Sequence, residues 1–498
     1  MKELLSLLLA ALLLVAIVPF AGAAFSDEGS IDKSFKTSVV KMSDKGVISG
    51  FSDGSFGPAK TLTRAQAAKI LCVMLEGSEK AEALTKTETG FSDVPETHWS
   101  AKYVAYCVEK GVVAGVGDGK FNPDGELSAA AFAKMLLVAY GADASKFTGA
   151  DWMKAVEEAA PGALLDNRVK DFTDRALPRQ EAAQMAYSAM FCAEALAAKN
   201  DKDVSRELPA SLPESIKILA IGNSFSNDSI LGYLPQMLKG AGVKSFKIGN
   251  LYHGGCSLQM HVEYALAEQK AYQLYTRTEK DTKWKQSKKN ARTLDDALKE
   301  DAWDYITFQH GQSLFGVESA FHPALDVLMY YVQRTQPQAA FGWNFVWAAP
   351  DGSTRAAVKK YYGGDQMKMY DMSVAATKNQ VLTEPRTKFV MPVGTAIQNA
   401  RTSFLGDHLD RDGYHLNKGI GRYIASLTWC CMLTKVDPDK ITYLPEDLVK
   451  DEKDYRIEGL NMAAPGLLEA LGKVARESVK NAIAHPFEIT RSQYTTAP

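Results

Sequence analysis

At 498 residues the chain is longer than one hydrophobic core organises, and its length corresponds to about two to four domains. A hydrophobic fraction of 46% with 10% aromatic residues is that of a folded protein and excludes wholesale disorder. The net charge of −2 supplies no general attraction to nucleic acid or to an anionic membrane, so neither is expected as a partner.

The chain opens with Lys2, an apolar run from Leu4 to Phe20 and the small residues Ala21-Gly22-Ala23-Ala24. That order is the pattern of a secretory signal peptide over residues 1–24. A retained anchor is the alternative, but Pro19 and the small residues favour cleavage, and no later segment is apolar for long enough to span a bilayer. The mature protein is expected outside the cytoplasmic membrane. The six cysteines lack zinc-site spacing and read as core residues, with a Cys72–Cys107 bridge left open.

Residues 30–195 repeat themselves. Gly46-Val47-Ile48-Ser49-Gly50, a Gly-rich turn through Phe56-Gly57-Pro58 and Leu62-Thr63-Arg64-Ala65-Gln66 lead into an apolar-periodic helix. Gly111-Val112-Val113-Ala114-Gly115, the turn through Phe121-Asn122-Pro123 and Leu127-Ser128-Ala129 form a second copy. A fainter third copy keeps Phe172-Thr173-Asp174 and Leu177-Pro178-Arg179. Each unit reads as a helix, a turn and a second helix capped by Thr or Ser. The first lacks a clear opening helix.

This pattern resembles the S-layer homology (SLH) repeat, which implies an all-α bundle that docks on secondary polysaccharides of the bacterial cell wall. Arg64 and Arg179 occupy the family's arginine position and Trp99 its opening aromatic, so these three are the expected glycan-binding residues. Ala129 replaces the arginine in the second copy, and fewer than three grooves are expected to bind. An arginine at a helix start can also serve only to tie helices together, and that reading stands beside the first. The aperiodic, proline-containing residues 196–215 read as a linker.

From 216 to 485 short apolar runs alternate with helical stretches. Strands are expected at Ile216–Ile221, Ser245–Asn250, Trp303–Phe308, Ala339–Trp343 and Lys388–Val393, with a terminal helix ending near Ala484. Such alternation predicts a three-layer α/β domain with a parallel sheet and its site at the carboxyl ends of the strands. Ser224 directly follows the first strand. Asp412 lies three residues before His415, a spacing that lets the carboxylate fix the imidazole tautomer so that Nε2 faces a serine.

Together these residues resemble the SGNH (GDSL-type) hydrolases and, more narrowly, the DUF4886 branch, with a flavodoxin-like sheet. Gly222-Asn223-Ser224-Phe225-Ser226 matches the first motif, with Asn where the wider family has Asp. Gly254-Gly255-Cys256 matches the second, and Asp412-x-x-His415 the last. The resemblance implies Ser224 as nucleophile, His415 as general base, Asp412 as its orienter and Gly255 as an oxyanion-hole donor. The third motif departs: Gln309-His310-Gly311-Gln312 stands where an Asn is usual, and the Gln309 or Gln312 amide can donate in its place, Gln309 being favoured as nearest the strand end. His253, His310 and His408 read as rim or loop histidines, no metal or cofactor is expected, and Trp343 and Trp347 read as core residues or sugar platforms. The polar stretch Lys283–Asp301 is expected as an excursion over the site. The expected activity is a wall-attached serine esterase that removes a small acyl group from a carbohydrate; a lipase or thioesterase and a non-catalytic wall glycan-binding protein are the alternatives.

Overall fold

The computed structural model describes residues 25–165, 167–199, 207–311 and 314–498. The expected signal peptide lies outside them, as do Gln312 and residues 200–206 of the expected linker. Two compact units emerge, one formed by the chain up to Ala198 with Leu266–Glu268, the other by Lys199–Ala265 with Gln269–Pro498.

In the first unit each repeat runs as an opening helix, a turn and a second helix, and the helices that pack on one another belong to different repeats. The three repeats are α1 (Lys36–Asp44) and α2 (Arg64–Glu76), α3 (Ala101–Glu109) and α4 (Ala129–Ala139), and α5 (Trp152–Ala159) and α6 (Arg179–Ala198); α2 packs on α3, α4 on α5 and α6 on α1. Thr63 and Ser128 cap α2 and α4 by accepting the backbone N–H of Gln66 and Ala131. The opening helix of the first repeat, α1, is therefore present although its pattern is hidden. Of its buried residues only Val39 and Met42 are apolar; the other, Ser38, donates to the Phe35 carbonyl, and a serine satisfied by its own turn breaks the apolar period.

The three repeats close on one another through the backbone. Leu62 N–H donates to Leu177 at 2.9 Å, Leu127 to Leu62 at 2.8 Å and Leu177 to Leu127 at 3.0 Å, a cyclic set joining equivalent leucines. The first two amides of each second helix, which have no partner within a helix, donate to a neighbouring turn: Arg64 and Ala65 to Gly125 and Pro123, Ala129 and Ala130 to Arg175 and Thr173, Arg179 and Gln180 to Lys60 and Pro58. The eroded third copy is thus required to satisfy the other two.

The second unit is built on a seven-stranded sheet of order β4-β3-β2-β1-β5-β6-β7. Its strands are β1 (Ser215–Gly222), β2 (Ser245–Tyr252), β3 (Gln273–Thr278), β4 (Lys285–Gln286), β5 (Tyr305–Phe308), β6 (Ala340–Asn344) and β7 (Thr387–Met391). β2, β1, β5, β6 and β7 run parallel, with Ile218 level with Ile248 on β2 and Tyr305 on β5. Every residue of β5 and β6 is buried, so the sheet centre is covered on both faces. β3 and β4 add antiparallel at the edge beyond β2, so the stretch Lys283–Asp301 supplies the outermost strand β4 and a short helix, Leu294–Leu298, where an excursion over the site was expected. β3 escapes sequence reading because only its Leu274 and Arg277 are buried, a spacing of three that leaves no period of two.

The chain leaves β1 for β2 on one side and later returns to β5 on the other. That reversal makes the carboxyl end of β1 a topological switch point, the position at which open α/β sheets place their sites.

Candidate active site

β1 ends at Gly222 and the chain turns straight into α7 (Ser224–Ile230). Asn223 is the N-cap, its Oδ1 accepting the Phe225 N–H at 3.0 Å, which leaves half-buried Ser224 as the first helical residue. Gly222 permits this turn to pack closely: a Cβ there would stand 2.6 Å from Ser226 Oγ and 3.0 Å from the Gln309 carboxamide carbon.

The second component is a tight loop ahead of α8 (Ile420–Thr434). Asp410 and Leu416 pair as an isolated antiparallel bridge, Arg411 N–H donates to His415 O at 2.8 Å, and Asn417 N–H donates to Leu409 O at 2.9 Å. Buried Asn417 also caps α8 by accepting the Gly421 N–H at 2.9 Å. Within this loop Asp412 Oδ2 lies 2.7 Å from His415 Nδ1 and Oδ1 accepts the His415 N–H at 2.8 Å. With Nδ1 donating, His415 Nε2 is an acceptor, and it stands 2.8 Å from Ser224 Oγ. Burial raises the Asp412 carboxyl, but the backbone N–H and ring of His415 and the charge of Arg411 outweigh it and hold the group below its ordinary value. Arg355 adds a donor to the Asp412 carbonyl at 3.0 Å.

Packing fixes the loop laterally. The Phe225 ring lies 4.7 Å from Trp347, 4.9 Å from Tyr414 and 5.8 Å from His415 between centroids, and Trp347 Nε1 donates to the Tyr414 carbonyl at 2.9 Å. Trp343 and Trp347 are both buried, so they are core residues and offer no face to a sugar.

The turn after β2 carries Gly255 at φ +68°, a left-handed conformation that favours glycine. Neither its N–H nor that of Ser224 has an acceptor among the described residues. Asn223 Nδ2 donates to the Cys256 carbonyl at 3.0 Å and the His310 carbonyl at 3.1 Å, stapling the ends of β1, β2 and β5 together. Gly311 is needed at this junction, since a Cβ there would lie 2.3 Å from the Cys256 carbonyl oxygen.

Gln309 is buried behind this junction. Its Nε2 donates to Asn223 Oδ1 at 2.6 Å, and its Oε1 accepts Asn344 Nδ2 at 2.8 Å. Trp429 Nε1 donates in turn to Asn344 Oδ1 at 3.3 Å. The carboxamide expected as a free oxyanion donor is engaged on both atoms, because the residue directly at the end of a central strand faces neighbouring strand ends.

The other expected histidines have separate partners. His310 is buried, accepts the Gly311 N–H on Nδ1 and donates to Ala320 O, and desolvation pushes its pKa down to about 4. His253 donates through Nδ1 to Ala271 O at 2.7 Å, and His408 is exposed 3.7 Å from Glu458. All six cysteines are buried and free, Cys72 and Cys107 included.

In the first unit the two arginines make equivalent contacts. Arg64 donates to the carbonyls of Phe121 and Ala114, and Arg179 to those of Phe56 and Ser49, the matching positions of the two Gly-rich turns. Both are thus tied to backbone turns. Arg179 also lines a groove of about 160 Å³, with Ser49, Phe51, Gln66, Lys69 and Trp99. Trp99 is 52% exposed, whereas Arg179 is 4% exposed. Burial lowers the Arg179 guanidinium to about 10, and no carboxylate lies within ion-pair distance of it among the described residues.

Sequence reasoning missed Asp228, Asn344 and Trp429. Asp228 carries the one available signal, a carboxylate four residues past Ser224 and so on the same helix face, but its partners Arg411 and Arg422 are too distant in sequence to be seen from it.

A family model described as domain of unknown function DUF4886 matches residues 217–457, and the S-layer homology domain matches residues 24–68 and 90–133. A crystal structure of a DUF4886 family protein from Bacteroides uniformis is 34% identical, covers 57% of this chain and 100% of its own, and superposes with a TM-score of 0.50. The surface-layer 125 kDa protein of Lysinibacillus sphaericus is 35% identical over 160 residues, 30% of this chain. The S-layer protein EA1 of Bacillus anthracis is 36% identical over 134 residues, 26% of this chain. The chain spans only 13% and 14% of the lengths of these two relatives. With a solved relative matched along its whole length and SLH domains ahead of the matched region, the chain belongs to the DUF4886 family and carries it behind S-layer homology repeats.

Proposed function

We propose that the second unit is a serine esterase and that the first holds it on the bacterial cell wall, with a small O-acyl group on a carbohydrate as the substrate. The observation that carries this reading is the unbroken chain Ser224 Oγ–His415 Nε2 at 2.8 Å and His415 Nδ1–Asp412 Oδ2 at 2.7 Å at the carboxyl end of β1. His415 takes the Ser224 proton as Oγ attacks the ester carbonyl, Asp412 holds the ring in the Nδ1–H tautomer, and the protonated ring then gives its proton to the departing alcohol. The N–H groups of Ser224 and Gly255 receive the oxyanion, aided by the N-terminal position of Ser224 on α7. Water, activated by the same histidine, releases the acid from the acyl-enzyme. Gln309 serves this hole at one remove, by holding Asn223.

Wall attachment is supported by the SLH matches and by the groove that combines exposed Trp99 with the Arg179 guanidinium. A guanidinium buried without a carboxylate favours an anionic substituent on the bound polysaccharide, and the tryptophan offers a face to its sugar ring.

The test of the activity is hydrolysis of p-nitrophenyl acetate and butyrate by the full chain and by Ser224→Ala. Loss of turnover in the variant is expected; equal rates from both proteins would remove the serine mechanism. For attachment, retention on purified cell walls is compared with Arg179→Gln and Trp99→Ala, and undiminished retention of both would remove the groove from the reading.

A further inference from the structure

The distance between Ser224 and His415 is set by residues from opposite ends of the domain sequence, so something must hold the histidine loop against the helix that carries the serine. One buried side chain bridges them. Asp228 is on α7, one helical turn beyond Ser224, and is 1% exposed.

Its carboxylate accepts hydrogen bonds from both flanks of the acid–base segment. Leu416, the residue after His415, donates its N–H to Asp228 Oδ2 at 3.0 Å, and Arg411, the residue before Asp412, places Nη1 3.1 Å from the same oxygen. Arg422 on α8 completes the set, with Nε at 2.9 Å and Nη2 at 2.6 Å from Oδ1. Arg411 also donates to the Leu416 carbonyl, so it closes the loop on itself while it reaches the helix. A second tie runs alongside, Ser426 of α8 donating to the Ser229 carbonyl at 2.8 Å.

We propose that Asp228 is a positioning residue for the reaction, clamping the two ends of the Asp412–His415 segment to the nucleophile's own helix. The inference rests on the serine-hydrolase reading and deepens it. The chemistry fits the task. A buried carboxylate bonded to two guanidiniums and a backbone N–H has little angular freedom, because each oxygen is held by charge-assisted bonds from more than one direction. Since α7 also presents Ser224, a displacement of the helix carries nucleophile and base together, and their separation is conserved.

The experiment uses the full chain and Asp228→Asn, which keeps the shape but removes the charge. Rates on p-nitrophenyl acetate are expressed per serine titrated with a fluorophosphonate, so a merely smaller folded fraction leaves kcat unchanged. A fall in kcat of about 100-fold with KM within about threefold is expected, the size of effect that a misplacement of about 1 Å produces. The downfield proton resonance of His415 Nδ1–H, assigned by its loss in His415→Ala, is expected to shift or broaden. If Asp228→Asn does not fold, Arg411→Gln decides by the same measures, with a fall of at least about tenfold. A folded variant with wild-type kcat per titrated serine and an unshifted resonance overturns the proposal. Failure of the hydrolase reading is separable: the wild type then shows no Ser224-dependent turnover, while the resonance still reports whether Asp228 holds the ring.

Discussion

Asp412→Asn separates orientation of the base from stability of the fold. The wild-type carboxylate presents two acceptors to two donors, Oδ1 to the His415 N–H at 2.8 Å and Oδ2 to Nδ1 at 2.7 Å. An asparagine has one acceptor oxygen. If that oxygen stays with the backbone N–H, its NH2 group meets Nδ1 and forces the hydrogen onto Nε2, which then faces Ser224 as a donor and cannot take its proton. If it stays with Nδ1, the backbone N–H of His415 loses its partner and the loop shifts. The first arrangement costs a factor of roughly a thousand to ten thousand in kcat, or about 4–5.5 kcal/mol of barrier. The stability cost is small by comparison, because the Asp412 side chain is 39% exposed and paired exposed charges are worth about 0–1 kcal/mol. Steady-state kinetics on p-nitrophenyl acetate beside a urea melt reads both quantities. Activity within tenfold of wild type, or a rate loss that follows the loss of folded protein, would refute the argument.

Gln309→Leu strands the buried Asn344 Nδ2 donor and removes the bond to Asn223, for a loss of about 2–4 kcal/mol in urea unfolding, with kcat falling as the strand-end junction loosens; an unchanged midpoint contradicts the carboxamide chain. The thiols should resist iodoacetamide at pH 8 in the native protein, since burial pushes both Cys72 and Cys430 up to about 12, and stoichiometric native labelling of either would count against the packing. Glu82, held at about 2 by its hydrogen bonds to Lys102, Tyr103 and Lys69, stabilises the first unit above its unfolded pKa of about 4.3 and loses that contribution as pH falls toward 2. Glu82→Gln should flatten the stability curve in that acid window, as followed by thermal melts, and an unaltered pH slope would show that the pairs are not formed.

Legible in the sequence alone were the repeat, the parallel strands and Ser224, Asp412 and His415, the three residues that the fold brings into contact. Each left a local mark: a period of two or 3.6 in apolar residues, a glycine-rich turn, a serine at a strand end, an acid three residues before a histidine. α1 and β3 left weaker marks, because Ser38 stands in for an apolar core residue and the buried Leu274 and Arg277 of β3 are three residues apart, which sets up no period of two. Tertiary structure decided which polar groups meet. Gln309 lies at the predicted strand end, but only the neighbouring β1 and β6 decide that its carboxamide meets Asn223 and Asn344. Arg64 and Arg179 read alike, yet only Arg179 opens onto the groove with Trp99. Asp228 was invisible as a partner of Arg411 and Arg422 because hydrogen bonds between residues far apart in sequence impose no spacing on it; they exist only once the chain has brought α7 and the histidine loop together.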